Sequence, residues 1–370
     1  MLQKGQIPMK LLYSVTLIIV GLAGFTLLEA HNGTYQWILG RKADLRATLA
    51  RIGDRGASVS QDTAVRSRVT TDENKSPAAT FSGYLATSDG VKIHYLEAGK
   101  EKSSGSGHLS STTSPATTAT RRIIALEERH NVPTILFVPG WTMPAWIWQK
   151  QIDYFSSDYR VVAMDPRSQG ESSKPGKGVF PDTRAKDIKA VVDHLGLAPV
   201  VIVAWSLAVT ELASYVDQFG TSSLAGVVIV DGTAGGIPPE SYQEFLVSLD
   251  QTRTDPGEAR EKFVRWMFHK PQSEEYIQRL TTASLATPPD FAFELLVVGL
   301  EADNRRALAK IDCPTLMVTQ KSSSAALFQK MQKSIPGSRW EVFDDAGHAL
   351  FVDDADRFNL LLKDFLARLR

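Results

Sequence analysis

Six short runs of apolar, largely β-branched residues constrain the fold of this chain more than any other feature. They are TILFV (134–138), RVVAM (160–164), VVIVA (200–204), GVVIV (226–230), TLMVT (315–319) and WEVF (340–343). Helical patterns fall between them near 182–195, 207–219, 324–335 and 354–368. Strand and helix in alternation, with near-continuous Val/Ile runs, predict an α/β protein whose mostly parallel sheet is covered by helices on both faces. Ahead of these runs, SGYLA and VKIHYLEA flank Ser88-Asp89-Gly90 and read as a hairpin. Residues 238–310 break the alternation with helix-like segments and no strand, so a helical lid is expected between GVVIV and TLMVT. Ligands of such sheets bind at the carboxyl ends of the strands, which is where this insertion begins.

The segment VVIVAWSLAVTELASYV carries the central chemical signal. An apolar strand runs into Ser206 and a helix starts directly after it, which puts the hydroxyl on a sharp, exposed turn. Small residues must flank such a turn, and here they are Ala204 and Ala208. A serine at this position needs a base to take its proton. His348, in WEVFDDAGHALFVDD, leaves the last strand and can swing over the nucleophile. The other six histidines, His31, His94, His108, His130, His194 and His269, stand in no comparable place.

A carboxylate should orient that histidine. Its usual position follows the strand TLMVT, but the loop there, TQKSSSAAL, has no acid. Asp231, directly after GVVIV, is the expected substitute, in the order Ser206, Asp231, His348. Its alternative role is to cap the turn Asp-Gly-Thr. Asp344 and Asp345 precede His348 too closely to orient it. Two backbone donors should face the developing oxyanion. Leu207 N–H, next to the nucleophile, is one. Trp141 N–H, in Pro139-Gly140-Trp141-Thr142, is the other. Trp141, Trp146, Trp148 and Trp205 suit an apolar acyl pocket and suit core or lid contacts equally.

Five pieces in order, FVPGW, MDPRSQGESS, VAWSLA, KIDCPTLMV and DDAGHALFVDDADRF, give residues 80–370 a resemblance to the α/β-hydrolase superfamily. The resemblance is closest to its esterase and cofactor-free haloperoxidase-like branch. It implies hydrolysis of a carboxylic ester or related acyl bond of a small-molecule substrate through an acyl-enzyme, with no metal and no organic cofactor. It also implies that Asp165 and Arg167 hold loops together. Perhydrolase or haloperoxidase activity, carbon–carbon bond hydrolysis and a catalytically silent ligand-binding homologue are the alternatives. This chain departs from the pattern by alanines around Ser206, by proline rather than histidine before Gly140, and by serine where the acid usually follows TLMVT.

The N-terminus carries a separate signal. Residues 11–28 contain no charge and follow Lys4 and Lys10. As a helix they would span about 27 Å, close to a hydrocarbon core. The run exceeds the usual signal-peptide core, and Leu28 sits poorly at the third position before a cut at Ala30. Residues 1–35 are therefore expected to anchor the chain in a membrane. Lys4 and Lys10 favour the N-terminus inside and the catalytic domain outside the cytoplasm, an asymmetry that Arg41, Lys42 and Arg46 weaken. Cleavage would instead give a secreted or periplasmic form. Residues 36–52 read as an amphipathic helix, 53–79 as a polar linker, and 99–122 as a low-complexity surface insertion. Lys plus Arg and Asp plus Glu both number 41, so no basic stripe points to nucleic acid. The single cysteine, Cys313, forms no intrachain disulfide and is expected to be a small buried apolar residue rather than a reactive thiol.

Overall fold

A computed structural model of the chain describes residues 67–69, 79–99, 132–235, 249, 251–322 and 324–369. The apolar run 11–28, the segment 36–52 and all but the first residue of 99–122 lie outside them. Among the described residues no helix is long and apolar enough to cross a membrane. By internal contacts the chain divides into Met1–Gln61, outside the described residues, and Asp62–Arg370, which holds the whole sheet.

That sheet has nine strands: β1 (Ser67–Val69), β2 (Thr80–Ala86), β3 (Lys92–Ala98), β4 (Thr134–Val138), β5 (Val161–Met164), β6 (Val200–Trp205), β7 (Leu224–Val230), β8 (Thr315–Gln320) and β9 (Arg339–Phe343). Their spatial order is β1-β2-β3-β5-β4-β6-β7-β8-β9. The pairs from β1 to β5 along this order are antiparallel, and those from β5 to β9 are parallel. The hairpin expected around Ser88-Asp89-Gly90 joins β2 to β3. Strand β1 falls inside the stretch expected to be a linker. Its polar sequence carries no apolar pattern, and it pairs with β2 through its backbone.

The period-2 alternation of a strand explains why the central runs are apolar throughout. In β6, Val201, Val203 and Trp205 face one core layer, while Val200, Ile202 and Ala204 face the other. The first layer is packed by α1 (Gln149–Phe155), through Ile152 and Phe155, and by the C-terminal helix. The second is packed by α2 (Pro181–His194) and α3 (Ala208–Phe219). Helix α1 has no signal in the sequence, because its seven residues contain only two buried large apolar side chains.

Three longer helices lie between β7 and β8: α4 (Pro256–Trp266), α5 (Glu274–Leu285) and α6 (Pro289–Glu301). Each starts on a local signal. Asp255 accepts from Glu258 N–H, Ser273 accepts from Tyr276 N–H, and α4 and α6 carry proline in the first turn. A bridge between Gly235 and Asp303 and a 2.7 Å bond from Asn304 N–H to the Ala234 carbonyl pinch this insertion at its base. The short helix α7 (Arg305–Leu308) then leads into β8, and α8 (Ala325–Lys333) joins β8 to β9. After β9 come the short α9 (Leu350–Asp353) and the C-terminal α10 (Ala355–Ala367). The trace therefore delivers the ends of β4, β6, β7, β8 and β9 to one edge of the sheet, beneath α4 and α6.

Candidate active site

Strand β6 ends at Trp205 and α3 begins at Ala208, which leaves two residues for the bend. Ser206 makes it with φ of +58°, in the left-handed region that a non-glycine residue adopts only at a cost. The surrounding structure over-determines this conformation. Ser206 N–H donates to the Val230 carbonyl at 2.9 Å, and Ala204 and Ala208 are fully buried on either side. The flanking alanines are therefore accommodated.

His348 Nε2 stands 2.8 Å from Ser206 Oγ, and its Nδ1 stands 2.7 Å from Asp231 Oδ2. The three side chains come from the ends of β6 and β7 and from the loop after β9. His348 and Asp231 are buried. Asp231 has φ of +40°, and its N–H donates to the Val318 carbonyl at 2.8 Å. Both of its oxygens are engaged. Oδ1 accepts from Gln320 N–H, and Oδ2 accepts from Gln320 Nε2 as well as His348, each Gln320 bond at 3.0 Å. Gln320 ends β8, close to the usual place of the acid. The sequence cannot flag it, because a glutamine at a strand end carries no chemistry until its neighbour is known. Trp205 also supports His348, donating from Nε1 to the His348 carbonyl at 2.9 Å.

The loop after β4 approaches the serine closely. A Cβ on Gly140 would stand 2.8 Å from Ser206 Cβ and 3.2 Å from the Trp205 carbonyl oxygen. This loop is held from below. Gln169 Nε2 donates to the Gly140 and Met143 carbonyls at 2.9 and 3.0 Å, while its Oε1 accepts from Arg184 at 3.0 Å. Arg184 is in turn paired with buried Glu211 at 2.5 Å. Leu207, the other expected donor, caps the N-terminus of α3, where amides lack intrahelical partners and the helix dipole favours negative charge. Gly140→Ala should push the loop after β4 away from Ser206 and lower kcat/KM on an activated ester by about 100-fold. Wild-type turnover in that variant would remove the loop from the reaction.

The four tryptophans separate. Trp148 and Trp205 are buried core: Trp148 stacks on Phe351 at 3.7 Å and lies 4.7 Å from Phe137. Trp146 lies under Arg279. Trp141 faces the inserted helices, donating from Nε1 to the Ala292 carbonyl at 2.8 Å and meeting Phe263 edge-on. Burial pushes the Cys313 thiol up to about 11, so it is protonated at neutral pH.

A second array has the same three residue types. His94 Nε2 lies 2.8 Å from Ser82 Oγ, and His94 Nδ1 lies 2.7 Å from Asp165 Oδ2. Nothing local in the sequence marks His94, because its partners arrive through the β2–β3 pairing and the end of β5. The contrast is informative. Ser82 sits within β2, paired with Leu96, at no strained bend and at no helix N-terminus. Asp165 also accepts from Ala145 N–H at 2.5 Å and Glu171 N–H at 2.9 Å, so it ties loops together. Arg167 does likewise, bridging Asp187 at 2.6 Å and Asp89 at 3.0 Å. Proximity of Ser, His and Asp is thus common to both arrays, while a partly exposed, positive-φ bend at a helix N-terminus belongs to Ser206 alone of the two.

Fold and site together have the form of a hydrolase built on a mostly parallel sheet. A family model described as "Alpha/beta hydrolase family" matches residues 135–359, more than half of the sequence. The chain belongs to that family and is an α/β-hydrolase enzyme. It is similar to a non-heme haloperoxidase of Rhodococcus erythropolis, 26% identical over 63% of this chain and 91% of the relative. It is also similar to a bifunctional esterase/perhydrolase of Acinetobacter calcoaceticus, 23% identical over 78% of this chain and 99% of the relative. Among solved structures, an esterase from Exiguobacterium antarcticum superposes with a TM-score of 0.65 at 21% identity, covering 77% of this chain and 98% of the esterase.

Proposed function

We propose that this enzyme cleaves a carboxylic ester through a covalent acyl-Ser206 intermediate. The observation that carries the reading is the continuous relay from Ser206 Oγ through both nitrogens of His348 to Asp231, at a bend with positive φ. His348 Nε2 takes the Ser206 proton as Oγ attacks the ester carbonyl. The N–H groups of Leu207 and Trp141 stabilise the oxyanion. The tetrahedral intermediate collapses, and the proton passes from Nε2 to the departing alkoxide. A water, deprotonated by His348, then attacks the acyl-enzyme and releases the carboxylic acid. Asp231 holds Nδ1–H, so that Nε2 presents its lone pair to Ser206.

The esterase/perhydrolase relative supports a second outcome of the same intermediate, with hydrogen peroxide replacing water and a peracid leaving. An alkyl fluorophosphonate distinguishes both from a silent homologue. Stoichiometric labelling of Ser206, lost in Ser206→Ala, is the expected result. An unlabelled wild-type protein would sink the acyl-transfer reading. The helices α4 to α6 are the lid of this site in the same reading. Membrane attachment rests on residues 11–28. Removing residues 1–35 should move the enzyme from the membrane fraction to the supernatant, and an unchanged distribution would refute the anchor.

A further inference from the structure

Helix α4 crosses the site from the Trp141 loop to His348. Its Phe263 ring meets Trp141 edge-on at 4.9 Å and stacks with Trp266 at 5.9 Å. The Trp266 ring lies 5.2 Å from that of His348. One turn before Phe263, Arg260 lays its guanidinium over the Trp141 indole, 4.1 Å from the ring centroid. Arg260 is fully buried, yet its Nε and Nη1 have no hydrogen-bond partner.

Other buried arginines here are treated differently. Arg167 and Arg184 each have a buried carboxylate within 2.6 Å. Among the described residues no carboxylate pairs with Arg260. Burial pushes its ionisation down to about 10, which still leaves it charged at neutral pH. A buried cation with unused donors is unfavourable unless an acceptor reaches it. The indole face attracts the charge but accepts nothing from Nε or Nη1. The ring under this guanidinium belongs to Trp141, the residue after Gly140, whose added Cβ would stand 2.8 Å from Ser206 Cβ.

We propose that Arg260 binds a carboxylate on the substrate, so that the enzyme prefers esters whose acyl chain ends in a carboxylate. The proposal rests on the acyl transfer assigned to Ser206. A single guanidinium neutralises one charge, and the cluster around Trp141 is apolar, with Val179, Phe291 and Leu295. That environment suits a methylene chain ending in a planar carboxylate better than it suits a phosphate dianion.

The test compares mono-4-nitrophenyl adipate with 4-nitrophenyl hexanoate, which share a chain length and differ in the terminal carboxylate. Wild type should favour the adipate ester in kcat/KM by roughly tenfold or more. Arg260→Met should bring that ratio to about one, chiefly through KM, and Arg260→Lys should leave it intermediate. Methionine fills a similar volume without a buried charge, so the variant should fold. A wild-type preference for hexanoate, with a ratio unmoved in Arg260→Met, overturns the proposal. Adipate itself supplies a readout free of catalysis: it should raise the Tm of wild type and not that of Arg260→Met. If adipate does so while neither ester is turned over, the carboxylate site stands and the acyl-transfer reading falls. If both esters are turned over without discrimination, and adipate leaves Tm unchanged, acyl transfer stands and the carboxylate site falls.

Discussion

Ser206→Ala is expected to lower kcat on an activated ester by about 10⁶-fold, the scale seen when the nucleophile of a serine relay is removed. The loss follows from geometry. Oγ is the atom 2.8 Å from His348 Nε2, and alanine leaves Cβ in place but nothing to attack the carbonyl. The fold should not suffer. The strained φ of +58° is no worse for alanine than for serine, and the bond from residue 206 N–H to the Val230 carbonyl remains. Thermal unfolding should therefore sit close to wild type while turnover disappears. A purified Ser206→Ala protein that still turns over ester at a rate near wild type would remove the nucleophile from the mechanism. Ser82→Ala is the natural companion. The second array ties loops together and its serine lies within a paired strand, at no strained bend, so this change should reduce stability and spare labelling by a fluorophosphonate.

Asp231→Asn should cost about 10⁴ in kcat, the scale of losing an orienting carboxylate. The structure gives a specific reason. Oδ1 faces Gln320 N–H, while Oδ2 faces both Gln320 Nε2 and His348 Nδ1. Every partner donates, so the asparagine NH₂ meets a donor in either orientation. If it turns towards His348, Nδ1 must become an acceptor, and Nε2 then carries the proton that it ought to receive. If it turns towards the Gln320 backbone, a buried donor goes unsatisfied, which costs about 1–3 kcal/mol of stability. A steady-state assay beside a thermal melt separates the two orientations. Turnover near wild type would dismiss Asp231 as the orienting group. Gln320→Leu should be milder, since Asp231 keeps its bonds to the residue 320 backbone N–H and to His348.

Much of this site is legible without coordinates, and the reasons are local. Ser206 announces itself because a buried strand and a helix meet there with almost no chain between them. His348 follows because the loop after the last strand must end above that turn. Asp231 is legible through an absence, the acid-free loop TQKSSSAAL, together with the adjacency of neighbouring strands. Gln320 is not legible. A glutamine is silent in sequence, and its role exists only because β8 pairs with β7 and brings its last amide to Asp231. The Ser82–His94–Asp165 relay is hidden for the same reason, since it joins two strands of a hairpin to the end of a third.

The order of apolar runs and the strand–serine–helix junction are properties of neighbouring residues, set by 2-residue and 3.6-residue periods that a linear chain displays openly. Those periods sufficed for a mostly parallel sheet covered by helices and for Ser206 and His348 as candidates, while the α/β-hydrolase family came from the resemblance of five motif pieces in order. Which side chains share a buried site depends on contacts between residues far apart in the chain, and no local period records these. Only the tertiary structure could show Gln320 bonded to Asp231, or Arg260 over Trp141 with no carboxylate paired to it among the described residues. Whether a buried polar group finds a partner is decided by packing, after every strand and helix has formed.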